Sequence, residues 1–483
     1  MASEIRVNKI ENRSGLGTVT FADTGVDLAG IVTATTFSGS GASLTNVPAA
    51  NITGTLPAID GSNLTGIAAT DNVRTGILDV AGVSTFRNTM NVGAAVTISE
   101  SGIEASGIGI TCANINGQQI GGRRNLVING AMLIAQRGTS STSGTGACQT
   151  VDRYLTSFSG QDEVLTLSQS DVASGTTPYT SGFRKAFKFL NGNQTSGAGS
   201  ADFVQIQTRL EAQDIANSGW NYTSSSSFVT LSFWVKSSVA QNFYGYLRTI
   251  DGTSQAYIFE TGSLTADTWT KVTKTIPGNS NLQFDNNNEQ GVQIIFAPFW
   301  GTDYTGSVSL NAWAAYSSSV RTPDYTSTWW TTNDSTFELT GVQLEVGSQA
   351  TAFEHRSFGE ELSLCQRYFY KTYNYSDAPG TATFVGAQHG RNFDPNAARS
   401  AVPICLNFPV RMRTTPTLTW YAGDGQSNRY STGSTVGGSD LTTENAVGTS
   451  IDESETGIYH ANFSEDVPAT NLYAYHVLAE AEL

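Results

Sequence analysis

Two short stretches concentrate the side chains able to do chemistry. Phe299-Trp300-Gly301-Thr302-Asp303-Tyr304 sets three aromatic rings beside a carboxylate, and Pro298 and Gly301 mark it as a loop. Asp324-Tyr325-Thr326-Ser327-Thr328-Trp329-Trp330 is denser, with Arg321 close in sequence. Sugar recognition needs aromatic faces against which pyranose C–H groups stack, with Asn, Asp or Arg beside them to read hydroxyls. The candidate ligand-contact residues are therefore Trp300, Asp303, Tyr304, Arg321, Tyr325, Trp329 and Trp330. Neighbouring side chains on a strand face opposite ways, so Trp329 and Trp330 cannot both point inward from one. Sugar contact, a subunit interface and core or edge packing stay open for them. Trp234 and Trp269, inside strand patterns, read as core.

Signals for catalysis and for cofactors are missing. The four His are isolated, with no HExxH spacing, and there is no GxSxG and no phosphate-binding Gly loop. Glycoside hydrolysis wants two carboxylates roughly 5–10 Å apart across a cleft, and the stretch between Asp27 and Asp60 carries none. His355, between Glu354 and Arg356, reads as a structural hydrogen-bonding residue. No enzyme activity and no cofactor are expected. A structural calcium is a weak expectation: Asn129-Gly130-Ala131 lacks a carboxylate, Glu338 and Glu345 stand alone, and no D-x-D-x-D-G loop exists. The acidic run Asp452-Glu453-Ser454-Glu455 reads as a solvated turn. Cys112, Cys148, Cys365 and Cys405 are too scattered for a disulfide framework or zinc site, and read as free buried thiols in a reducing compartment.

The elements that must position these residues follow from composition. Residues 1–122 contain no Trp and no Tyr, and all eight Trp and eighteen Tyr follow. A stretch without large aromatics buries little surface per residue and makes no wide core. Charged residues are 14% of the 483, below the roughly 25% of a typical domain, which suits short strands and tight turns with neutral polar faces. The net charge of −15 argues against a nucleic-acid partner. No apolar run approaches a membrane span, and Met1–Asn12 shows no h-region, so no membrane insertion is expected.

Within the first segment, Val26-Asp27-Leu28-Ala29-Gly30-Ile31 recurs as Leu78-Asp79-Val80-Ala81-Gly82-Val83, and Gly41–Thr45 as Gly61–Thr65. Repeats this small need neighbouring repeats or other chains to bury their apolar residues, and three chains wound together is the economical solution. Later, period-2 patterns predict strands at 165–168, 228–235, 271–276, 292–296 and 337–345, with Asn125–Gly130 opening the module. That spacing points to a two-sheet jelly roll. Ser357-Phe358-Gly359-Glu360 is a capping-box pattern for a short helix with Leu362, Cys365, Tyr368 and Phe369 on one side. Strands resume at 417–420 and 472–477. The expected fold class is all-β: an N-terminal attachment segment 1–29, a repetitive β shaft 30–122, a jelly-roll sandwich 123–359 and a C-terminal β module 360–483.

Three motifs carry a resemblance. Asn125-Leu126-Val127-Ile128-Asn129-Gly130-Ala131-Met132 with Ala135-Gln136-Arg137-Gly138 and Asp152-Arg153-Tyr154 forms one opening. Gln343-Leu344-Glu345-Val346-Gly347-Ser348 through Ala352-Phe353-Glu354-His355-Arg356 forms a close. Leu364-Cys365-Gln366-Arg367-Tyr368 and Phe408-Pro409-Val410-Arg411-Met412-Arg413-Thr414-Thr415-Pro416 begin the last module. Over residues 120–420 the chain resembles tail-fibre and appendage proteins of tailed bacteriophages, above all those of marine cyanobacteria. The resemblance implies a homotrimer located on the virion and assembled in the host cytoplasm. It also implies an N-terminal segment docked on other tail or neck proteins and a carbohydrate-binding-like sandwich. Distal modules would then touch a host surface glycan. The alternative is a purely structural neck, collar or decoration fibre that binds no receptor.

Overall fold

The computed structural model describes residues 123–144, 146–434, 442–444, 447–469 and 471–483, with 114–115, 118–119 and short pieces between 9 and 38. The internal repeats of residues 26–86 lie almost wholly outside the described residues. The chain divides into two compact units, Met1–Glu104 and Ala105–Leu483. In the first, Lys9–Glu11, Thr18–Ala22 and Gly25–Leu28 form a three-stranded antiparallel sheet, pairing Ile10 with Val19 and Phe21 with Val26.

The second unit begins with a β-sandwich of two antiparallel sheets, the jelly-roll class read from the strand spacing. Sheet I has six strands in the order Thr270–Pro277, Phe228–Ser237, Thr336–Val346, Lys185–Leu190, Thr166–Asp171 and Ser140–Ser141. Sheet II has seven: Trp313–Ala315, Gln255–Ser263, Asn242–Thr249, Gln290–Trp300, Phe203–Glu211, Leu155–Ser159 and Ala147–Cys148. Phe228–Ser237 shows why the pattern works. Alternate residues Val229, Leu231, Phe233 and Val235 face inward and are almost fully buried. Phe233 meets Phe296 of sheet II edge-on at 4.8 Å between centroids. Each fully buried side chain of this size contributes about 1.5–3 kcal/mol.

Asn125–Gly130 is not the strand expected. It runs irregularly along Thr336–Val346, with Leu126 N–H donating to Leu344 O and Val342 N–H to Gly130 O. Asn129 and Met132 adopt left-handed φ of 59° and 57°. Asn129 stabilises that turn by donating through Nδ2 to the carbonyls of Ile134 and Asp152, while its Oδ1 accepts from Ile134 N–H.

Ser357 caps the helix Phe358–Gln366 by accepting from Glu360 N–H, as the capping box predicts, but the helix ends before Tyr368, and Phe369 opens a strand instead. Beyond it, a sheet is built around Leu472–Glu480, which pairs with Phe369–Lys371, Gln388–Arg391, Thr417–Tyr421 and Tyr430–Gly433. A second sheet joins Arg399–Asn407, Gly457–Val467 and Val447–Ser454.

The motif residues form the joint between this C-terminal part and the sandwich. Glu211, buried in sheet II, takes a two-point ion pair from Arg367 (2.7 and 2.8 Å) and a hydrogen bond from Tyr368 Oη. The Arg153 guanidinium lies 3.4 Å from the Tyr368 ring centroid and pairs with Glu482. Arg137 sits 3.7 Å over Phe369 and reaches Asp152, Glu480 and Glu482. Arg413 donates to the carbonyls of Ala481 and Glu482. These cations are therefore occupied by architecture.

Candidate functional site

The seven residues chosen from sequence fall in two places. Trp300, Tyr304 and Arg321 come together at one end of the outer face of sheet II. Trp300 stacks on Phe203 (5.0 Å, 17°), and Tyr304 meets it edge-on at 4.9 Å. The Arg321 guanidinium covers both, 4.3 Å from the Trp300 centroid and 4.8 Å from that of Tyr304, and is pinned by donating to Ser318 O. Trp300 is thus buried, not offered to a ligand. Tyr304 and Arg321 keep partial exposure and Asp303 is exposed beside them.

Trp329 and Trp330 lie elsewhere, within the sandwich core, and the half-buried Tyr325 packs against that core. Trp330 stacks on Phe299 at 5.1 Å and donates through Nε1 to Gly197 O (2.8 Å). Trp329 donates to Thr336 O, and Tyr325 Oη to the carbonyls of Tyr244 and Ala297. Burial pushes the Tyr325 hydroxyl well above its ordinary range. The expectation, from a strand reading, that one of the two adjacent Trp is exposed or sits at a subunit interface fails for a local reason. They sit on one helical turn, Thr328–Thr331, where successive side chains diverge by only about 100°. Both can face inward, and both are fully buried.

The rest of the outer face of sheet II is also occupied. The segment after Gly301 folds back over it, packing Val308, Leu310 and Tyr316 on Tyr246, Ile258 and Ile295. Arg248 closes the seam, 3.8 Å from the Tyr316 centroid.

An open aromatic cavity appears instead on the outer face of sheet I. Trp234 is not core: it alternates with the inward Phe233 and Val235, points outward and is part-exposed. It lines a cavity of about 270 Å³ with Phe183, Phe353, His355, Lys271 and Ser232, just below the volume of a typical small-molecule site. Register makes this floor. Trp234 lies opposite Lys271 on one neighbour and Thr340 on the other, while Ser232 lies opposite Gln343. Phe233 on one strand thus faces both Gly341 and Val342 on its partner, a β-bulge with Gly341 at φ 64°. A Cβ at Gly341 would stand 2.7 Å from Phe183 Cζ and 3.0 Å from Trp234 Cδ1. Glycine is required there both by conformation and by space.

The wall of this cavity is the closing motif. Glu345 accepts from Thr351 N–H (2.8 Å) and Thr351 Oγ1. Gln343 Oε1 accepts from Glu354 N–H, and Glu354 in turn accepts from the N–H groups of Arg124 and Asn125. Burial raises the Glu354 carboxyl, but these backbone donors and Arg356 outweigh it and hold its pKa below the usual range. Phe353 and His355, held between these anchors, form a three-ring cluster with Phe183 at 4.8–5.1 Å. His355 Nε2 stands 2.9 Å from Ser181 O, so that nitrogen carries the proton and donates. Chemically the cavity offers an aromatic floor, an ammonium and a hydroxyl, which suits stacking and hydrogen bonding to a sugar ring.

The residues considered for calcium are engaged otherwise. Glu338 pairs with Lys236 at 2.9 Å, and Glu345 holds Thr351. Among the described residues no group of three or more His, Cys, Asp or Glu is arranged to hold a metal. Cys148 and Cys365 are buried free thiols, whereas Cys405, expected to be buried like them, is exposed.

No protein-family model matches the chain, and no curated protein matches it in sequence. Among solved structures, it is similar to the enzymatically active domain of tailspike protein 4 from bacteriophage CBA120, at 11% identity and a TM-score of 0.25. That alignment covers 46% of this chain and 21% of the tailspike chain. It is also similar to the N-terminal cellulose-binding domain of Cellulomonas fimi β-1,4-glucanase C (12% identity, TM-score 0.21, 45% of this chain and 99% of that one). A third is the family 11 carbohydrate-binding module of Clostridium thermocellum solved with a mixed-linked tetrasaccharide (12%, TM-score 0.20, 42% and 91%). The fold assignment rests on the two sheets themselves.

Proposed function

We propose that this protein is a fibre of a phage particle that binds a host surface glycan through the Trp234 cavity and catalyses nothing. The observation that carries the glycan reading is the part-exposed indole of Trp234, set by the Gly341 bulge beside Lys271 and Ser232. The phage reading rests on the three motifs, which here build the cavity wall and the joint with the C-terminal module. In this reading residues 1–29 dock on the virion, 30–122 form a trimeric shaft, and the sandwich and C-terminal module, 123–359 and 360–483, face the host. No cofactor enters it. Three cavities on one particle make weak single contacts useful, since tethering raises apparent affinity by roughly 10²–10⁴.

The burial of Trp300, Trp329 and Trp330 favours a second reading for their loops, in which the rings hold the sandwich together and the fibre is purely structural. A glycan array probed with the full chain and with Trp234→Ala separates the two. The first reading expects retention on a defined glycan set that the variant loses; no retention by either protein favours the structural fibre, and equal retention by both moves the glycan contact away from Trp234. Loss of viscosity in a retained polysaccharide would overturn the claim that nothing is catalysed.

A further inference from the structure

We propose a second saccharide site in the C-terminal module, in the slot between strands Gln388–Arg391 and Arg399–Asn407. It deepens the glycan-contact reading above but rests on separate residues. The slot encloses about 450 Å³, within the usual range for small-ligand pockets and larger than the Trp234 cavity. Its floor is aromatic: Tyr473 and Tyr475, two apart on Leu472–Glu480, present nearly parallel rings 6.4 Å apart. Tyr473 Oη donates to Pro403 O (2.6 Å), tying the two sheets together beneath the slot.

Two features keep the slot open. Gly390 lies against Tyr473, and a Cβ there would come within 2.0 Å of the ring. On the opposite wall, Pro403 pairs with His460 and Leu406 with Ile458, so one extra residue bulges outward between them. The bulge turns Cys405 to the surface at the slot. At the mouth stands Phe393, 83% exposed and the most exposed aromatic ring among the described residues. Gln388 and His389 flank it on the short strand and supply both donors and acceptors.

The bordering strands decide what enters. Each has one strand partner among the described residues, which would suit an added peptide strand. Both are blunted against that. Gln388–Arg391 has four residues, and Arg399–Asn407 carries a proline and a bulge at the slot. What remains usable is side chains: the exposed ring of Phe393 with an amide and an imidazole beside it. That chemistry recognises one pyranose ring lying on Phe393 above the buried Tyr473 and Tyr475, and read by Gln388 and His389.

The test uses the full chain and a panel of methyl glycosides (glucoside, galactoside, mannoside, rhamnoside and N-acetylglucosaminide) in saturation-transfer NMR. One or more should receive saturation, and Phe393→Ala and Gln388→Ala should each weaken that binding roughly tenfold. Phe393 is exposed enough that its loss leaves folding intact, which circular dichroism checks. In a Cys112→Ser background, the same glycoside should also slow alkylation of Cys405, a readout that a merely structural role would not move. The proposal is overturned if no glycoside protects Cys405, if binding is unchanged in both variants, or if an extended peptide alone is captured at the slot. Binding lost in Trp234→Ala but kept in Phe393→Ala sinks this site and leaves the sandwich site standing; no saccharide binding by any form sinks both.

Discussion

Trp330→Ala and Trp234→Ala should behave as opposites, although sequence ranks Trp330 as the ligand residue and Trp234 as core. Trp330 is fully buried, stacked on Phe299 and bonded to Gly197 O. Truncation to Ala leaves a cavity the size of an indole, and large-to-small changes of this kind cost about 3–5 kcal/mol. Stranding the Gly197 carbonyl adds about 1 kcal/mol or more if water cannot reach it. For a sandwich of this size each kcal/mol lowers Tm by roughly 2–4 °C, so the expected drop is roughly 6–24 °C. Trp234 is part-exposed on the outer face, and its loss should lower Tm by no more than about 3 °C, the effect of a surface change. Thermal unfolding followed by circular dichroism reads both. A Trp330→Ala protein that melts within 2 °C of wild type while losing glycan binding would refute this division of roles.

Three further outcomes follow from the same geometry. Gly341→Ala places a Cβ at φ 64° against Phe183 and Trp234; the left-handed conformation alone costs about 1–2 kcal/mol, so Tm should fall and glycan retention should vanish, and unchanged retention would show that the floor is set differently. For Glu211, burial raises the carboxyl but hydrogen bonds from Arg367 and Tyr368 outweigh it, and the folded-state pKa is depressed. Its contribution is therefore present above the ordinary carboxylate range and lost as pH falls through the depressed value. Glu211→Gln should lower the urea midpoint at pH 7, with the gap from wild type closing in acid; a gap independent of pH would contradict the ion-pair account. Light scattering on the full chain should give three times the chain mass, and a single-chain mass would remove the trimeric shaft.

Much of the architecture is legible in the sequence because a half-buried strand writes itself as alternation. Phe228–Ser237 and Thr336–Val346 are recognisable for that reason. Phe203–Glu211 alternates too, with Val204, Ile206 and Leu210 against Gln205, Gln207 and Arg209, but Asn242–Thr249 is harder, since Tyr244 and Tyr246 on its outer side blur the apolar period. The site is less legible than the fold. Aromatic density alone cannot separate rings that meet solvent from rings that stack on each other, and Trp300 is hidden by an arginine twenty-one positions later. A strand pattern assigned Trp329 and Trp330 to opposite faces, but Thr328–Thr331 is helical. One signal was present: the glycine inside Phe337-Glu338-Leu339-Thr340-Gly341-Val342 marks a bulge. A bulge beside an outward-facing Trp is where a cavity floor should be sought.

The most direct test of the glycan-contact account is ¹⁹F NMR of the full chain labelled with 5-fluorotryptophan. Its eight tryptophans give resolvable signals assigned by single substitutions. Titration with a glycan retained on the array should shift the Trp234 resonance and leave those of Trp300, Trp329 and Trp330 in place. A shift confined to those three, with Trp234 unmoved, would contradict the account.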